Sequence, residues 1–267
     1  DVFYQIYPRS FRDADGDGVG DLKGILEKLP YLQELGVTAL WLSPIYASPM
    51  DDNGYDISDY YQIDPQFGTN EDMDELLAKA KEKGIKIIMD LVLNHCSDEH
   101  PWFQKALADP DCEEAEYFYF RRGENGQLPN NWRSMFGGPA WEPVGDGRYY
   151  LHIFGKKQPD LNWENPKLRR KLYDMINYWQ DKGVAGFRLD AIIHIKKDPT
   201  LASREPEADG MCGLLECCKN YPGIGDFLME MRHETFDRTD CMTVAEAPGV
   251  PYEQYGEYVG ENGYFSM

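Results

Sequence analysis

Apolar positions along the chain follow two spacings, one typical of helices and one typical of strands. Helices are predicted where apolar residues recur every three or four positions, at 22–35, 70–83, 168–179 and 224–236. Strands are predicted where short, mostly apolar runs occur, at 2–8, 37–46, 86–94, 186–193 and 242–246. Pro30 falls inside the first helical pattern, and we expect it to kink or interrupt that helix because proline has no amide hydrogen.

Strands and helices that alternate in this way predict an α/β fold, in which helical crossovers join the strands of a parallel sheet. The alternation stops between Cys96 and Trp163, where Asp, Gly, Pro and aromatic residues are frequent and no long periodic helix is present. That stretch is too long for a simple connection. We therefore expect residues 1–95 and 164–267 to share one domain, and residues 96–163 to form an irregular subdomain inserted after the third strand.

The size and charge of the chain indicate which kinds of molecule it binds. The 267 residues, 42% of them apolar, are enough for a sizeable core, and the formal net charge is -20. Such an acidic chain is a poor match for nucleic acid or an anionic membrane, and no apolar run approaches the roughly 20 residues that span a bilayer. We expect a neutral substrate, no nucleic acid and no membrane.

The six cysteines form no regular framework, which favours a reduced, cytoplasmic setting.

Two of the predicted strands end on a carboxylate, Asp190 in one and Glu246 in the other. Two carboxylates at the ends of two strands are the groups that cleave a glycosidic bond. Arg188 precedes Asp190 by two positions, so both side chains share a face of the strand, and we expect Arg188 to keep Asp190 ionised. With 47 acidic residues in the chain, a single acid at a strand end is more often structural. The functional interpretation therefore depends on the whole set of residues.

An acidic loop precedes the first predicted helix. Four of its aspartates are spaced like calcium ligands: Asp13, Asp15, Asp17 and Asp21. Gly18 stands where such a loop turns sharply, but Gly24 stands where an EF-hand has glutamate, so the loop is not an EF-hand. We predict a divalent cation here, with a solvated acidic turn as the alternative.

Several segments resemble the signature sequences of the α-amylase family of glycoside hydrolases. They are DLVLNH at 90–95, GFRLD at 186–190 and VAE at 244–246, and QPDLN at 158–162 resembles the segment that marks the oligo-1,6-glucosidase and α-glucosidase branch. The likeness follows the family's order over essentially the whole chain. It implies a TIM-type (β/α)8 barrel, here truncated after about the fifth strand. Residues 1–95 and 164–267 would form the partial catalytic barrel, and 96–163 the inserted domain B.

The resemblance also implies retaining hydrolysis of α-glucosidic bonds at the non-reducing end of short gluco-oligosaccharides. Asp190 would be the nucleophile and Glu246 the acid/base. The implied substrate-binding residues are Tyr55, Asp56, Asn94, His95, Gln158 and Arg188. Tyr55 would stack on the terminal glucose, and Asp56 would accept hydrogen bonds from its hydroxyls. A structural Ca²⁺ would be held by Asp13, Asp15, Asp17, Val19 and Asp21.

Some alternatives stay open from the residues alone. Residues 53–56 also fit an Asn-Gly turn with surface acids, and His95 also fits a satisfied histidine at a strand end. The enzyme could instead be a sucrose isomerase, a trehalulose synthase or a trehalose-6-phosphate hydrolase, although no basic cluster suits a phosphate. A sugar-binding or transport-associated relative without catalysis is a further alternative, against which the intact Asp190 and Glu246 argue.

The sequence departs from the family pattern in two ways. Ala245 and Ala247 flank Glu246, where the branch more often has Gly and Met. The family's third catalytic acid belongs near the seventh strand, and no counterpart occurs up to Met267. We therefore expect the chain alone to be inactive, as a fragment or as half of an assembly. Ala191 follows the nucleophile where α-1,6 enzymes carry valine, which implies that α-1,4 bonds are accepted with some tolerance of α-1,6.

Overall fold

A computed structural model of the chain describes residues 1–123, 126–260 and 262–267. The strands are β1 Phe3–Ile6, β2 Ala39–Leu42, β3 Tyr46–Ala47, β4 Asp59–Ile63, β5 Lys86–Val92, β6 Phe120–Arg122, β7 Trp141–Pro143, β8 Arg148–Leu151, β9 Gly186–Asp190 and β10 Met242–Ala245. The helices are α1 Pro8–Phe11, α2 Leu22–Glu34, α3 Asn70–Glu82, α4 Pro101–Ala108, α5 Pro166–Lys182, α6 Leu215–Cys218, α7 Ile224–Glu234 and α8 Tyr255–Tyr258.

The main sheet has five parallel strands in the order β1-β2-β5-β9-β10. Each of the five predicted strands contributes one of them, so the parallel α/β arrangement is confirmed. The apolar faces of the crossover helices pack on the sheet; in α5, for example, Leu172, Ile176 and Trp179 are buried. Trp179 also donates its indole hydrogen to the carbonyl oxygen of Tyr60, over 2.8 Å.

Three predicted elements end differently in the structure. The strand expected at 37–46 stops at Leu42, and Tyr46 begins the separate hairpin of β3 and β4. The strand expected at 186–193 stops at Asp190, because Ala191 adopts a left-handed backbone with φ 43° and a short 3₁₀ turn follows. Helix α2 runs through Pro30 without interruption, so the expected break is wrong, and a kink stays a prediction. Burial of the apolar face of α2 outweighs the one hydrogen bond that proline forfeits.

The stretch between β5 and α5 has more regular structure than its composition predicts. It contains α4 and an antiparallel sheet in the order β6-β8-β7. Its buried Trp132 and Trp141 share a second hydrophobic core with Leu201, Cys212 and Leu214, which follow β9. The insertion is therefore packed against a long connection at the carboxyl end of the main sheet.

The last residues lie beside the edge of the main sheet. The amide of Ala245 donates to the carbonyl oxygen of Met267 over 2.8 Å, and the amide of Met267 donates to Thr243 over 3.1 Å. In the described ranges, no helix combines the length and the apolar character needed to cross a bilayer. All six cysteines are free thiols.

Candidate active site

The carboxyl ends of three adjacent strands bring the predicted catalytic residues together. Asp90 lies in β5, Arg188 and Asp190 lie in β9, and Glu246 directly follows β10. In the register of the sheet, Arg188 is opposite Asp90 on one side and opposite Val244 on the other. Side chains from neighbouring parallel strands at this level share one end of the sheet, where α/β proteins place their ligands.

Arg188 holds the three carboxylates at this end. Its Nη1 lies 2.9 and 3.1 Å from the two oxygens of Asp90 and 2.6 Å from Oδ1 of Asp190. Its Nη2 lies 2.8 Å from Oε2 of Glu246. The guanidinium itself is buried, and its carbon lies 5.3 Å from the centre of the Trp41 ring. One guanidinium therefore fixes the positions of both predicted catalytic carboxyls.

Burial dominates the protonation of this cluster. It raises the pKa of Asp190 to about 7; the charge of Asp90 raises it further, and Arg188 opposes both effects. Burial also raises the pKa of Asp90 to about 6, against the hydrogen bonds from Arg188, Trp41 and Tyr55. This direction is opposite to the expectation that Arg188 keeps Asp190 ionised, because desolvation outweighs the ion pair. Strongly interacting acids titrate together, so the cluster retains a proton near neutral pH.

Glu246 is the accessible member of the cluster. Its side chain is 44% exposed, whereas the carboxyl of Asp190 is mostly buried. The amide of Ala191 donates to Oε2 of Glu246 over 2.9 Å, so the left-handed turn after Asp190 also orients the second carboxyl. Glu246 borders a cavity of about 390 Å³, lined by Met135, Phe154, Ala191, His194, Lys219, Glu246, Pro248 and Gly249.

Tyr55 lies beside Asp90, and Asp56 is buried in the same loop. The hydroxyl of Tyr55 donates to Oδ2 of Asp90 over 3.3 Å. Asp56 is fully buried, and its carboxylate accepts hydrogen bonds from the hydroxyl of Ser48 and the amides of Asp51 and Asp52. These bonds hold the loop after β3 in shape, and the contact of Asp56 with sugar hydroxyls stays a prediction.

His95 is buried and neutral beside Tyr55. Its Nε2 lies 3.0 Å from the carbonyl oxygen of Tyr55, and its Nδ1 lies 3.2 Å from Nδ2 of Asn94. Burial lowers the pKa of His95 to about 3. Gln158 is also buried, with Nε2 3.1 Å from Nε2 of His95. A sugar contact for these side chains stays a prediction.

Asn94 connects the site to a buried ion pair. Its Oδ1 accepts a hydrogen bond of 2.7 Å from Nζ of Lys197, which lies 2.9 Å from Oδ2 of Asp160. The side chains of Lys197 and Asp160 are fully buried. The pair joins the end of the insertion to the turn after β9. Asn94 faces this lysine in the structure, and its predicted sugar contact is untested.

Two acids of the site were missed from the sequence. Asp90 was noted at a strand end but not as a site residue, although a charge inside the apolar run of β5 is a signal for one. Asp52 belongs to the same loop as Tyr55, and its Oδ2 accepts a hydrogen bond of 2.9 Å from Nε2 of Gln158. Partial burial raises the pKa of Asp52, and Gln158 opposes this. No periodic pattern distinguishes Asp52 from its neighbour Asp51.

The acidic loop folds as a compact set of carboxylates. Oxygens of Asp13, Asp15 and Asp21 lie within 4.8 Å of one another, which suits a divalent cation with oxygen ligands. Asp17 accepts a hydrogen bond from the amide of Val19. Backbone hydrogen bonds from Gly16 and Gly18 lower the pKa of Asp13, so it is ionised at neutral pH.

The fold and this site define a glycoside hydrolase scaffold, and the chain belongs to the α-amylase family. The family model described as alpha amylase, catalytic domain, matches residues 5–264.

Individual members of the family are similar over the whole chain. A probable oligo-1,6-glucosidase 3 of Bacillus subtilis is 51% identical, covering 100% of this chain and 49% of that protein. The oligo-1,6-glucosidase of Parageobacillus thermoglucosidasius is 53% identical, covering 93% of this chain and 45% of that protein. The chain spans about half the length of the curated relatives it matches.

Solved structures agree with this assignment. The trehalose-6-phosphate hydrolase of Bacillus licheniformis superposes with a TM-score of 0.94 at 45% identity, covering 99% of this chain and 47% of that one. The isomaltulose synthase from Klebsiella sp. LX3 superposes with a TM-score of 0.88 at 45% identity, covering 94% of this chain and 45% of that one.

Proposed function

We propose that the five parallel strands are the first five strands of a TIM-type (β/α)8 barrel, with residues 96–163 as its inserted domain B. The consecutive order of the strands, the helical crossovers and the family membership support this arrangement. The partial barrel then consists of residues 1–95 and 164–267. Catalysis by the whole protein is accordingly proposed for the enzyme in which the barrel is closed, called the complete enzyme below.

The complete enzyme hydrolyses α-glucosidic bonds with retention of configuration. The observation that carries this proposal is the contact of one guanidinium, that of Arg188, with the carboxyls of both Asp190 and Glu246. Asp190 attacks the anomeric carbon while Glu246 protonates the leaving oxygen, which gives a glucosyl ester on Asp190. Glu246 then takes a proton from water, and that water releases glucose from the ester.

The protonation of Asp90, Asp190 and Glu246 is consistent with one carboxyl acting as nucleophile and another as acid. A retaining enzyme needs one carboxyl protonated and the other ionised at the start of the reaction. The raised pKa of Asp190, about 7, indicates that the cluster holds a proton near neutrality in the absence of substrate. In the reacting complex that proton belongs on Glu246, where the exposed carboxyl meets the leaving oxygen.

Short gluco-oligosaccharides are the proposed substrates, with the terminal glucose beside Tyr55, His95 and Asp52 and the rest of the substrate toward Glu246. Asp56, Asn94, Gln158 and Arg188 complete the proposed set. Ala191 leaves more space after the nucleophile than valine would, which favours acceptance of α-1,4 bonds with some tolerance of α-1,6. A hundredfold preference for isomaltose over maltose, about 2.7 kcal/mol, would contradict the proposed acceptance of α-1,4 bonds.

Product analysis with sucrose and with trehalose 6-phosphate distinguishes a hydrolase of gluco-oligosaccharides from a sucrose isomerase and from a phosphate-specific hydrolase.

The decisive experiment combines a mutation with the stereochemistry of the product. Asp190→Asn in the complete enzyme should lower kcat at least about a thousandfold, and Glu246→Gln should nearly abolish turnover. Proton NMR of the first product should show the α-anomer, as retention requires. Asp240→Asn, which changes an exposed aspartate, is the matched control. A β-anomer, or full activity of Asp190→Asn, would refute the mechanism.

A structural Ca²⁺ in the acidic loop is a separate proposal. Asp13, Asp15, Asp17 and Asp21 would supply carboxylates and Val19 its carbonyl oxygen, and the ion would tie the loop to the start of α2. Because a cation that binds the native state stabilises it, added Ca²⁺ should raise the Tm by a few degrees. Asp15→Ala should remove this response, and Asp240→Ala should keep it. An unchanged Tm with calcium and with chelator would refute the site.

A reduced, cytoplasmic setting belongs to the same set of proposals. The six free cysteines support it.

A further inference from the structure

The cavity beside Glu246 has a lining of two kinds. Met135, Phe154 and Pro248 give it apolar walls, whereas His194 and Lys219 provide polar groups. In the proposed mechanism, Glu246 protonates the leaving oxygen, so the group that departs lies on this side of the acid. The lining of this cavity therefore meets the leaving group of the substrate.

Lys219 stands out in this lining because its charge has no ion-pair partner among the described residues. Among the residues that the structure describes, no carboxylate lies within 4.0 Å of its ammonium. Nearby lysines differ: Lys196 pairs with Glu164 over 2.7 Å, and Lys197 pairs with Asp160. The three hydrogens of the Lys219 ammonium are thus free to be donated to a ligand.

The ammonium lies against the backbone of Gly249. A Cβ atom at Gly249 would clash with Nζ of Lys219, so the missing side chain at Gly249 makes room for the ammonium. Gly249 follows Glu246 by three positions, and its backbone has φ 75°, which favours glycine. The lysine therefore lies over the segment that carries the acid.

The backbone on both sides of Lys219 is fixed. Before it, the carbonyl oxygen of Cys218 lies 2.9 Å from Nδ1 of His194. After it, the amide of Asn220 donates to Ile193 over 2.8 Å, and the Asn220 side chain accepts from the hydroxyl of Tyr258 over 2.6 Å. Asn220 itself is left-handed, with φ 48°. Such anchoring fixes where the Lys219 side chain leaves the backbone.

We propose that Lys219 is a specificity-determining residue that donates hydrogen bonds to hydroxyl groups of the leaving sugar. This proposal rests on the proposed hydrolysis of α-glucosides. Hydroxyls are favoured over a phosphate dianion because the lining of the cavity offers one lysine, Lys219, together with the carboxyl of Glu246.

The consequence is a preference between two kinds of leaving group. A sugar presents hydroxyls to Lys219, and without the donor those hydroxyls would be left unpaired in a partly closed cavity. A nitrophenyl group offers its ring to the walls formed by Met135, Phe154 and Pro248, and it has no hydroxyl for the lysine. Removal of the ammonium should therefore penalise disaccharides more than aryl glucosides.

The test is the ratio of kcat/KM for maltose or isomaltose to kcat/KM for 4-nitrophenyl α-glucoside, measured with the complete enzyme. Lys219→Met keeps most of the aliphatic stem, and it should lower this ratio roughly 10- to 100-fold. Lys219→Arg, which keeps the charge and the donors, should recover part of the loss. Lys28→Met, at an exposed position of α2, is the matched control and should leave the ratio unchanged.

Three results would overturn the assignment. The first is an unchanged ratio in Lys219→Met, and the second is an equal loss on both kinds of substrate. The third is a loss confined to trehalose 6-phosphate relative to trehalose, which would assign the lysine to an anionic group. None of these results touches the proposed function, which fails instead if Asp190→Asn turns over the aryl glucoside at the normal rate.

Discussion

At the scale of single residues, burial of Asp190 favours its protonated form, whereas its proposed role as nucleophile requires the ionised form. The unfolded chain gives aspartate a pKa of about 3.9, whereas folding raises the pKa of Asp190 to about 7. The folded state therefore binds this proton more tightly than the unfolded state. Its contribution to stability is fully present below about pH 4 and is lost as the pH rises through about 7.

This linkage predicts a pH-dependent free energy of unfolding. Between pH 5 and pH 8, Asp190 should destabilise the protein progressively, on the order of 2 kcal/mol in total. Asp190→Asn cannot titrate, so its stability should fall less than that of the wild type over the same range. Urea denaturation at intervals of one pH unit measures both slopes. Asp240→Asn should keep the wild-type slope, and equal slopes for Asp190→Asn and wild type would contradict the raised pKa.

The loop after β3 marks the limit of prediction from sequence at this scale. The resemblance selects Tyr55 and Asp56 from this loop, but it does not predict that Asp56 also accepts hydrogen bonds from Ser48, Asp51 and Asp52. Adjacent aspartates have the same chemistry in a sequence. Which of them meets the site depends on loop geometry and on Gln158, which arrives from the distant insertion.

At the scale of elements, two helical glycines differ in how closely a neighbouring segment packs against them. Gly24 lies in the first turn of α2, where a Cβ atom would clash with the carbonyl oxygen of Arg12. Gly256 lies in α8, where the described residues leave no heavy atom within 4 Å of such a Cβ. The two positions are both helical, so a comparison of Gly→Ala at each separates packing from helix propensity.

Gly24→Ala should lower the free energy of unfolding by about 2 kcal/mol or more, because the backbone around Arg12 must move. Gly256→Ala should raise it or leave it within about 1 kcal/mol, because alanine restricts the unfolded chain and meets no obstacle. Thermal and urea denaturation of both variants measure the difference. Equal effects at the two positions would mean that α1 and α2 are not packed as described.

The elements themselves were largely predictable, and their ends were not. Periodicity located the strands of the main sheet because they are short, mostly apolar runs, and those of β5 and β9 are almost entirely buried. It extended the strand of Asp190 too far, since Ile192 and Ile193 continue the apolar pattern as a buried 3₁₀ turn. The turn is produced by the left-handed backbone of Ala191, a feature that hydrophobicity does not encode.

At the scale of the whole molecule, contacts between distant segments determine the shape of the site. Trp132 of the insertion donates its indole hydrogen to Ala202 over 3.0 Å, and Asn130 donates to Leu201 over 3.0 Å. These bonds dock the insertion on the connection that leads to Lys219. The composition of 96–163 indicated a separate unit, but no local pattern in it specifies this docking surface or the partner of Lys197.

Catalytic activity also depends on the whole molecule, because it requires a closed barrel. In the described part of the chain, the outer strands β1 and β10 of the main sheet each have one strand neighbour. A closed barrel pairs every strand on both sides and needs about eight strands to fill its interior. The chain covers about half of its curated relatives. We therefore expect residues 1–267, expressed alone, to lack glucosidase activity although Asp190 and Glu246 are present.

The physical reason is the environment of the reacting carbon. Transition-state charge must be stabilised by groups held on all sides of it in a site that excludes water, and the present sheet supplies one wall. Expression of residues 1–267, an assay with 4-nitrophenyl α-glucoside and a thermal melt together test this. A cooperative melt without turnover supports the expectation, and a full-length oligo-1,6-glucosidase is the positive control. Turnover by the 267 residues at the rate of that enzyme would show that the Arg188 cluster suffices for catalysis without a closed barrel.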